Sequence, residues 1–430
     1  MALKRTLRPI TAALALAFVS TAALATDGYF AEGYGMRARG MGGASFATAL
    51  DAFGGANNPA SMAFVGNRVD LGIYWFSPDR GAERTGAMAP INGSATSEET
   101  SFWVPEFGVN WMLNPDVALG LTIYGNGGMN TTYAGGQINC GAGPANLLCG
   151  QGQLGVDMSQ LIVAPTVAWK FAPDHSVGLS PLFAYQRFEA YGLQAFDNAP
   201  GFPPFTMYPG NVTNKGYDSS TGWGFRLGYQ GRFDQFRVAA VYTSKMSMGD
   251  LEAYKGLFAE QGGFDIPSHW GLGVAWEPDG RWLVAFDYER INYSDVKSVN
   301  NPSNLRTPLG SDNGPGFGWQ DIDVFRVGVQ YRIDPTWTVR AGYNHADNPI
   351  TSRDVTFNIL APGVIENSIG LGFSYAINPA SEITVAYTHA FKSELTGSSL
   401  FNNVLGPGAG GNEKIWMSQD SLGIAWSMKF

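Results

Sequence analysis

Apolar and polar residues alternate with a period of two along most of the chain. In the last segment Leu422, Ile424, Trp426, Met428 and Phe430 alternate with Ser421, Gly423, Ala425, Ser427 and Lys429. Successive side chains of a strand point to opposite faces, so the pattern predicts strands with one apolar face and one small or wet face. It recurs in Trp337, Val339, Ala341 and Tyr343 against Thr338, Arg340 and Gly342, and in Ile383, Val385 and Tyr387 against Thr384, Ala386 and Thr388. The connections alternate in length. Short turns fall at Asn114-Pro115, Pro173-Asp174, residues 232–234, Pro278-Asp279-Gly280, Asp334-Pro335 and Asn378-Pro379. Long segments cover residues 77–102, 132–154, 191–217, 247–266, 291–319, 347–363 and 394–415. Six turns and seven loops join 14 strands, with both chain ends on the short-turn side. That parity suits an outer-membrane barrel, which has an even strand number, short periplasmic turns and longer outer loops.

Composition separates this barrel from a soluble β-sandwich. Charged residues make up 15% of the chain and glycine accounts for 56 of 430 residues, against roughly 25% and 7% in ordinary soluble domains. Lys4, Arg5 and Arg8 precede an apolar stretch over residues 10–24 and the small-residue site Ala23-Leu24-Ala25. This reads as an export signal over residues 1–25, with Thr26 next; the stretch is short for a membrane helix. No other stretch approaches the apolar length that a spanning helix needs. Trp276 and Trp282 flank one short turn, and Tyr331 and Trp337 the next, as an interfacial girdle would. Phe430 ends the chain on the apolar face, as in bacterial outer-membrane proteins. The formal charge of −9 disfavours a nucleic-acid partner and fits acidic outward loops. Cys140 and Cys149 lie close together in a Gly- and Asn-rich segment of an exported chain, where a loop disulfide is expected. A metal site there is the weaker alternative, because no histidine or carboxylate cluster accompanies them.

The expected fold class is all-β: a transmembrane antiparallel barrel of about 14 strands, formed by residues 68–430 with a first strand over 68–76. Residues 26–67 break the alternation and are Gly- and Ala-rich. A barrel this wide needs filling, so they are expected inside the barrel as a plug, or hatch, with Asn58, Pro59 and Ala60 packed in the lumen. Gly33-Tyr34-Gly35-Met36-Arg37-Ala38 fits the loose dinucleotide fingerprint, but no strand precedes it and no helix pattern follows. The loops at 191–217 and 247–266 carry Phe196, Phe202, Phe205, Met207, Leu251, Leu257, Phe258 and Phe264, enough to form an exposed apolar groove. Gly125, Gly127 and Gly128 interrupt the third strand beside Tyr124, and Pro165 cannot donate to a ladder on the fourth. These weak points predict a lateral gap between the third and fourth strands. A Ser-His hydrolase on the barrel's outer face is a rival reading. His175, His269, His345 and His389 offer the histidine, but no serine and orienting partner are evident. A general porin is a second rival, which the plug opposes.

The run from Gly33-Tyr34-Gly35 to Gly43, Asn58-Pro59-Ala60, Tyr124-Gly125 followed by Thr132-Tyr133-Ala134-Gly135-Gly136, and the closing segment with His389 resemble the FadL/TodX (OmpP1) family of outer-membrane transporters. The resemblance implies a 14-stranded barrel with an N-terminal hatch and passive uptake of long-chain fatty acids or related hydrocarbons, with aromatic hydrocarbons the alternative. It implies capture at outer loops by Phe202, Phe205, Leu257 and Phe258, and an inner pocket reached by Tyr29 and Phe30. It also implies lateral release at a kinked third strand. The positions where fatty-acid-transporting members place basic residues align here with Gly192 and Gln320, leaving Arg226, Arg326 or Arg340 as possible substitutes. No enzyme activity, cofactor or metal is expected. The expected partners are a hydrophobic small molecule and the lipid and lipopolysaccharide of the bacterial outer membrane, around a monomer.

Overall fold

Fourteen antiparallel strands close into one barrel in the computed structural model, which describes residues 27–88, 90–141, 143–197 and 205–430. In chain order they are β1 (Arg68–Thr85), β2 (Phe102–Asn114), β3 (Val117–Tyr133), β4 (Leu154–Ala172), β5 (His175–Tyr191), β6 (Asp218–Phe233) and β7 (Phe236–Thr243). There follow β8 (His269–Trp276), β9 (Trp282–Ile291), β10 (Ile322–Arg332), β11 (Trp337–Ala346), β12 (Asn367–Asn378), β13 (Ser381–Ser398) and β14 (Asn412–Lys429). Each strand pairs with its sequence neighbours, and β14 closes the circle on β1, from Arg68 opposite Lys429 to Thr85 opposite Asn412. Closure removes the unpaired edges that lipid cannot satisfy. The proposed signal at residues 1–25, its junction at Thr26, and Phe202 lie outside the described residues.

The alternation places its two faces as expected. Leu422, Ile424 and Trp426 are exposed to the lipid side, while Ser421, Ala425 and Ser427 are buried inward. Trp282 and Tyr331 pack at 4.4 Å between ring centroids beside a short turn. The six short turns fall where the sequence puts them. The first strand does not end at Phe76: β1 runs nine residues further, paired with β14 throughout. The apolar face marks only the membrane-crossing part, and the backbone ladder continues above it without needing apolar side chains.

Residues 27–67 fill the lumen with one short helix (Met36–Arg39), a 3-10 turn (Pro59–Phe64) and irregular chain, nearly all buried. Asn58 organises the lower end. Its Oδ1 accepts from the Ala60 amide at 3.0 Å, and its Nδ2 donates to the Phe46 carbonyl at 2.8 Å and the Tyr229 carbonyl of β6 at 3.2 Å. Glycines in the wall make room for this chain. A Cβ on Gly178 of β5 would lie 2.4 Å from the Pro59 carbonyl carbon.

Candidate functional site

The outer loops meet over the lumen in an apolar pocket. Leu148, Phe188, Leu193, Phe196, Leu257, Phe258, Phe317 and Phe357 line most of it, and among the described residues no charged side chain does. Its open core is about 40 Å³, whereas an engineered cavity of roughly 150 Å³ is what holds benzene. The loops must therefore part to admit a ring or an alkyl chain. The expected exposed groove is thus mostly closed: Phe258 and Leu251 are buried and Phe264 is fully so, because the apolar chains cover one another. Among the described residues of that set, Met207 alone is more than half exposed. Leu257 and Phe258 line the pocket, whereas Phe205 packs at its flank, its ring 6.0 Å from Phe196.

Further in, Tyr29 and Phe30 lie in an aromatic cage. The Tyr29 ring stands 5.1 Å from Phe30, 5.5 Å from Tyr293, 5.8 Å from Trp319 and 6.3 Å from Phe264. Phe264 reaches Phe258 at 5.0 Å and Trp319 reaches Phe317 at 6.4 Å, so aromatic contacts run unbroken from the pocket to the cage. Below the cage the character reverses. The Asp27 carboxylate accepts from Arg326 at 2.6 Å and from Asn344 at 2.8 Å; Arg326 also meets Glu289 at 2.6 Å. Glu289 contacts His269 Nδ1 at 2.6 Å, and His269 Nε2 lies 3.2 Å from Arg226. Arg226 donates to the hatch carbonyls of Gly55, at 2.9 Å, and Ala56. A hydrophobic molecule moving straight down would have to displace this buried charge chain, which is costly. Arg226 and Arg326 are thus committed to internal partners, as is Arg340, which donates to Gln330 at 2.8 Å and Ser374 at 2.7 Å. Gly192 and Gln320 supply no charge either.

Glu32 belongs to the same hatch layer. Burial pushes its carboxyl up to about 7, against a stabilising hydroxyl bond from Ser368 at 2.7 Å. A raised value means the folded protein holds the proton more tightly than the unfolded chain. This contribution to stability is full below about 4.5 and fades as pH rises through about 7. Hatch amides near residue 32 are therefore expected to exchange hydrogen faster at pH 8 than at pH 6, after correction for the intrinsic rate. In Glu32→Gln the difference should vanish; a persisting difference would assign it elsewhere.

The wall is interrupted on one side of β3. The β2–β3 ladder stops at Phe107 opposite Ile123, and β3 then turns inward, its residues from Thr122 to Tyr133 all buried. Above the opening, the Glu98 amide donates to the Thr132 carbonyl at 2.7 Å and closes the rim. Two features account for the break. Pro105 of β2 has no amide hydrogen to offer, and β3 carries a bulge between Gly125 and Gly127. The expected gap between the third and fourth strands is corrected here: β3 and β4 stay paired from Val117 opposite Trp169 to Tyr133 opposite Leu154. Pro165 marks a different defect. It stands across from Pro181, where the β4–β5 ladder skips from Val163–Phe183 to Val167–Leu179. With no donor on either proline, that stretch loses its bonds.

Hatch and bent strand meet at this opening. Phe30 bridges Gly127, the Gly128 amide donates to the Tyr29 carbonyl at 3.3 Å, and the Ala31 amide donates to the Asn126 carbonyl at 3.3 Å. A Cβ on Gly127 would lie 1.7 Å from the Tyr29 oxygen, so only glycine permits the approach. The Tyr124 ring packs at a tilt against Tyr34 of the hatch, with centroids 4.5 Å apart.

Cys140 and Cys149 are bridged, with Cα atoms 5.6 Å apart. The loop they pin carries Leu148 to the pocket and Leu147 to Arg84, which donates to its carbonyl at 2.7 Å and pairs with Glu413 at 2.5 Å. Phe317, Trp319, Tyr293 and Phe357, with Leu148, Phe188 and Leu193, are contributors that the sequence pattern did not single out. Aromatic residues in the loops at 291–319 and 347–363 were the available signal.

A closed 14-stranded barrel with a filled lumen, an apolar pocket at its outer end and a side opening defines an outer-membrane channel for hydrophobic molecules. Residues 12–399 match the family described as outer membrane protein transport protein (OMPP1/FadL/TodX), and the chain belongs to that family. It is a passive transport protein of the bacterial outer membrane, not an enzyme. Its structure is similar to the Pseudomonas putida toluene transporter TodX (TM-score 0.70, 19% identity, covering 93% of this chain and 99% of that one). The Ralstonia pickettii toluene transporter TbuX is similar too (TM-score 0.65, 19% identity, 93% and 99%). So is a Pseudomonas aeruginosa FadL homologue (TM-score 0.68, 16% identity, 94% and 100%). Alkane uptake protein A of Marinobacter nauticus is 23% identical over 110 residues, which span 25% of this chain and 24% of that protein.

Proposed function

We propose that the channel takes up uncharged hydrocarbons, monoaromatic compounds or alkanes, in preference to long-chain fatty acids, and acts as a monomer. The observation that carries this reading is the outer pocket: its lining includes no basic side chain among the described residues, and Arg226, Arg326 and Arg340 are already paired. A carboxylate entering such a site would lose its water with nothing to replace it. The names of TodX, TbuX and the alkane uptake protein support the same substrate class. Ligand parts the loops, passes the aromatic contacts to Tyr29 and Phe30, and leaves sideways beside Tyr124, Gly125, Gly127 and Gly128 into the membrane, because the charge chain bars the axial way. The hatch, residues 26–67, keeps the lumen shut to water.

Binding of toluene, an alkane, a fatty acid and its methyl ester to the purified protein tests the reading. The acid is expected to bind no better than the ester. An advantage of tenfold or more, about 1.4 kcal/mol, requires a charge partner and would overturn it. Replacing Leu257 and Phe258 together by Ser should lower toluene binding by at least roughly tenfold, since each removes a buried apolar side chain. Unchanged binding would move the capture site elsewhere.

A further inference from the structure

Around the inward bend of β3 the barrel's outer face has two regions of different chemistry. In the lower region Phe107, Val109 and Ile123 point outward yet are buried against one another. Higher up, where Asn130, Asp157 and Glu189 stand side by side across β3, β4 and β5, the surface opens into a cavity of about 770 Å³. Glu98, Glu99, Asp157 and Glu189 line it together with the Tyr217 and Tyr191 rings, and among the described residues no lysine, arginine or histidine does. Arg187 reaches Asp157 from the flank at 3.8 Å, beyond hydrogen-bond range, with its guanidinium over the Tyr217 ring. Gln153 donates to Glu98 at 3.4 Å, and the Tyr217 hydroxyl donates to Asp157.

A second feature points to a ligand. Asn130 lines the cavity at 5% exposure and its Oδ1 has no hydrogen-bond partner. A buried acceptor left unmade is costly, and beside four carboxylates what it lacks is a cationic donor. The carboxylates are too dispersed to grip a small ion: among the described residues no group of three or more acidic or histidine side chains could hold a metal. Spacing of this kind, beside the Tyr191 ring, suits an organic ammonium, attracted by charge and by the ring quadrupole.

We propose that this outer cavity binds organic ammonium ions, the cationic head group held among Asp157, Glu189 and Asn130 and against the Tyr191 ring. The site stands on the wall geometry alone and does not depend on hydrocarbon uptake.

Hexylammonium, hexanol and hexanoate share one apolar body and differ in charge, so calorimetric titration of the full-length purified protein with each isolates the head group. Hexylammonium is expected to bind about five- to tenfold more tightly than hexanol, and hexanoate most weakly. The double variant Asp157→Asn with Glu189→Gln should erase the ammonium preference while leaving hexanol binding intact, which also certifies its fold. Equal binding of the amine and the alcohol, or a preference that survives the double variant, would overturn the proposal. Displacement of hexylammonium by millimolar calcium chloride, but not by sodium chloride of equal ionic strength, would overturn it too, in favour of a metal-ion site. Hexanol capture at the Leu257–Phe258 pocket is read separately through the Ser variants there, so failure of either reading leaves the other testable.

Discussion

Deleting residues 28–60 is expected to convert a nearly closed barrel into an open one, with single-channel conductance in planar bilayers rising by at least roughly tenfold. The segment is not draped over the lumen but anchored at several points around the wall. Asn58 and Arg226 tie the turn at residues 55–58 to the wall, Asp287 accepts from the Ser45 and Phe46 amides at 2.6 and 2.9 Å, and Asp27 holds Arg326 on the neighbouring strand. Small wall residues such as Gly178 and Gly342 leave the space that this chain occupies, so its removal vacates a channel lined by polar and charged groups. A milder change tests the anchoring itself. Arg326→Gln leaves Asp27 and Glu289 as buried carboxylates without their shared cation, and removing one partner of such a pair costs roughly 3–5 kcal/mol. That variant should gate noisily rather than stand open. Unchanged low conductance in the deletion would mean that something other than the hatch closes the barrel.

The barrel was legible because its signal is distributed. A single strand such as β14 carries five alternating pairs, the same period recurs around the chain, and turn chemistry at Asn114-Pro115 or Asn378-Pro379 fixes where each hairpin reverses. Strand ends above the membrane were not legible, since the ladder from Ser77 to Thr85 persists without an apolar face to announce it. The site divides in the same way. Residues whose chemistry is unusual for their place, such as glycines inside β3 and phenylalanines in loops, stood out in the sequence. Which neighbours they meet did not, because the aromatic cage gathers Tyr29, Phe264, Tyr293 and Trp319 from three segments separated by up to 290 positions. The charge chain from Asp27 to Arg226 is equally non-local. The side of β3 that opens was misread for a local reason: Pro165 drew the eye to β4, while Pro105, on the strand that loses its partner, carried the decisive missing donor.

Tying β2 to β3 across the opening is expected to abolish uptake without unfolding the barrel. If the ladder continued upward from Phe107 opposite Ile123, Pro105 would face Gly125; the pair Pro105→Cys and Gly125→Cys, joined by a short bifunctional thiol reagent, therefore spans the interrupted stretch. The native cysteines are already bridged and do not compete. The opening is bounded below by that last ladder pair and above by the Glu98–Thr132 bond, so a link at its middle leaves no comparable passage through this part of the wall. Capture at the outer pocket should persist, because Leu257, Phe258 and Phe317 are untouched, and bound toluene should accumulate on the linked protein instead of crossing. Heat-modifiable migration on gels checks that the barrel is intact. Each single-cysteine variant, treated with the same reagent, controls for the loss of Gly125 at the bulge. Uptake at the wild-type rate with the link quantitatively formed would sink the lateral route. The charge chain beneath Tyr29 and Phe30 would then have to open for an axial one, and Arg326→Gln would be expected to speed uptake rather than leave it unchanged.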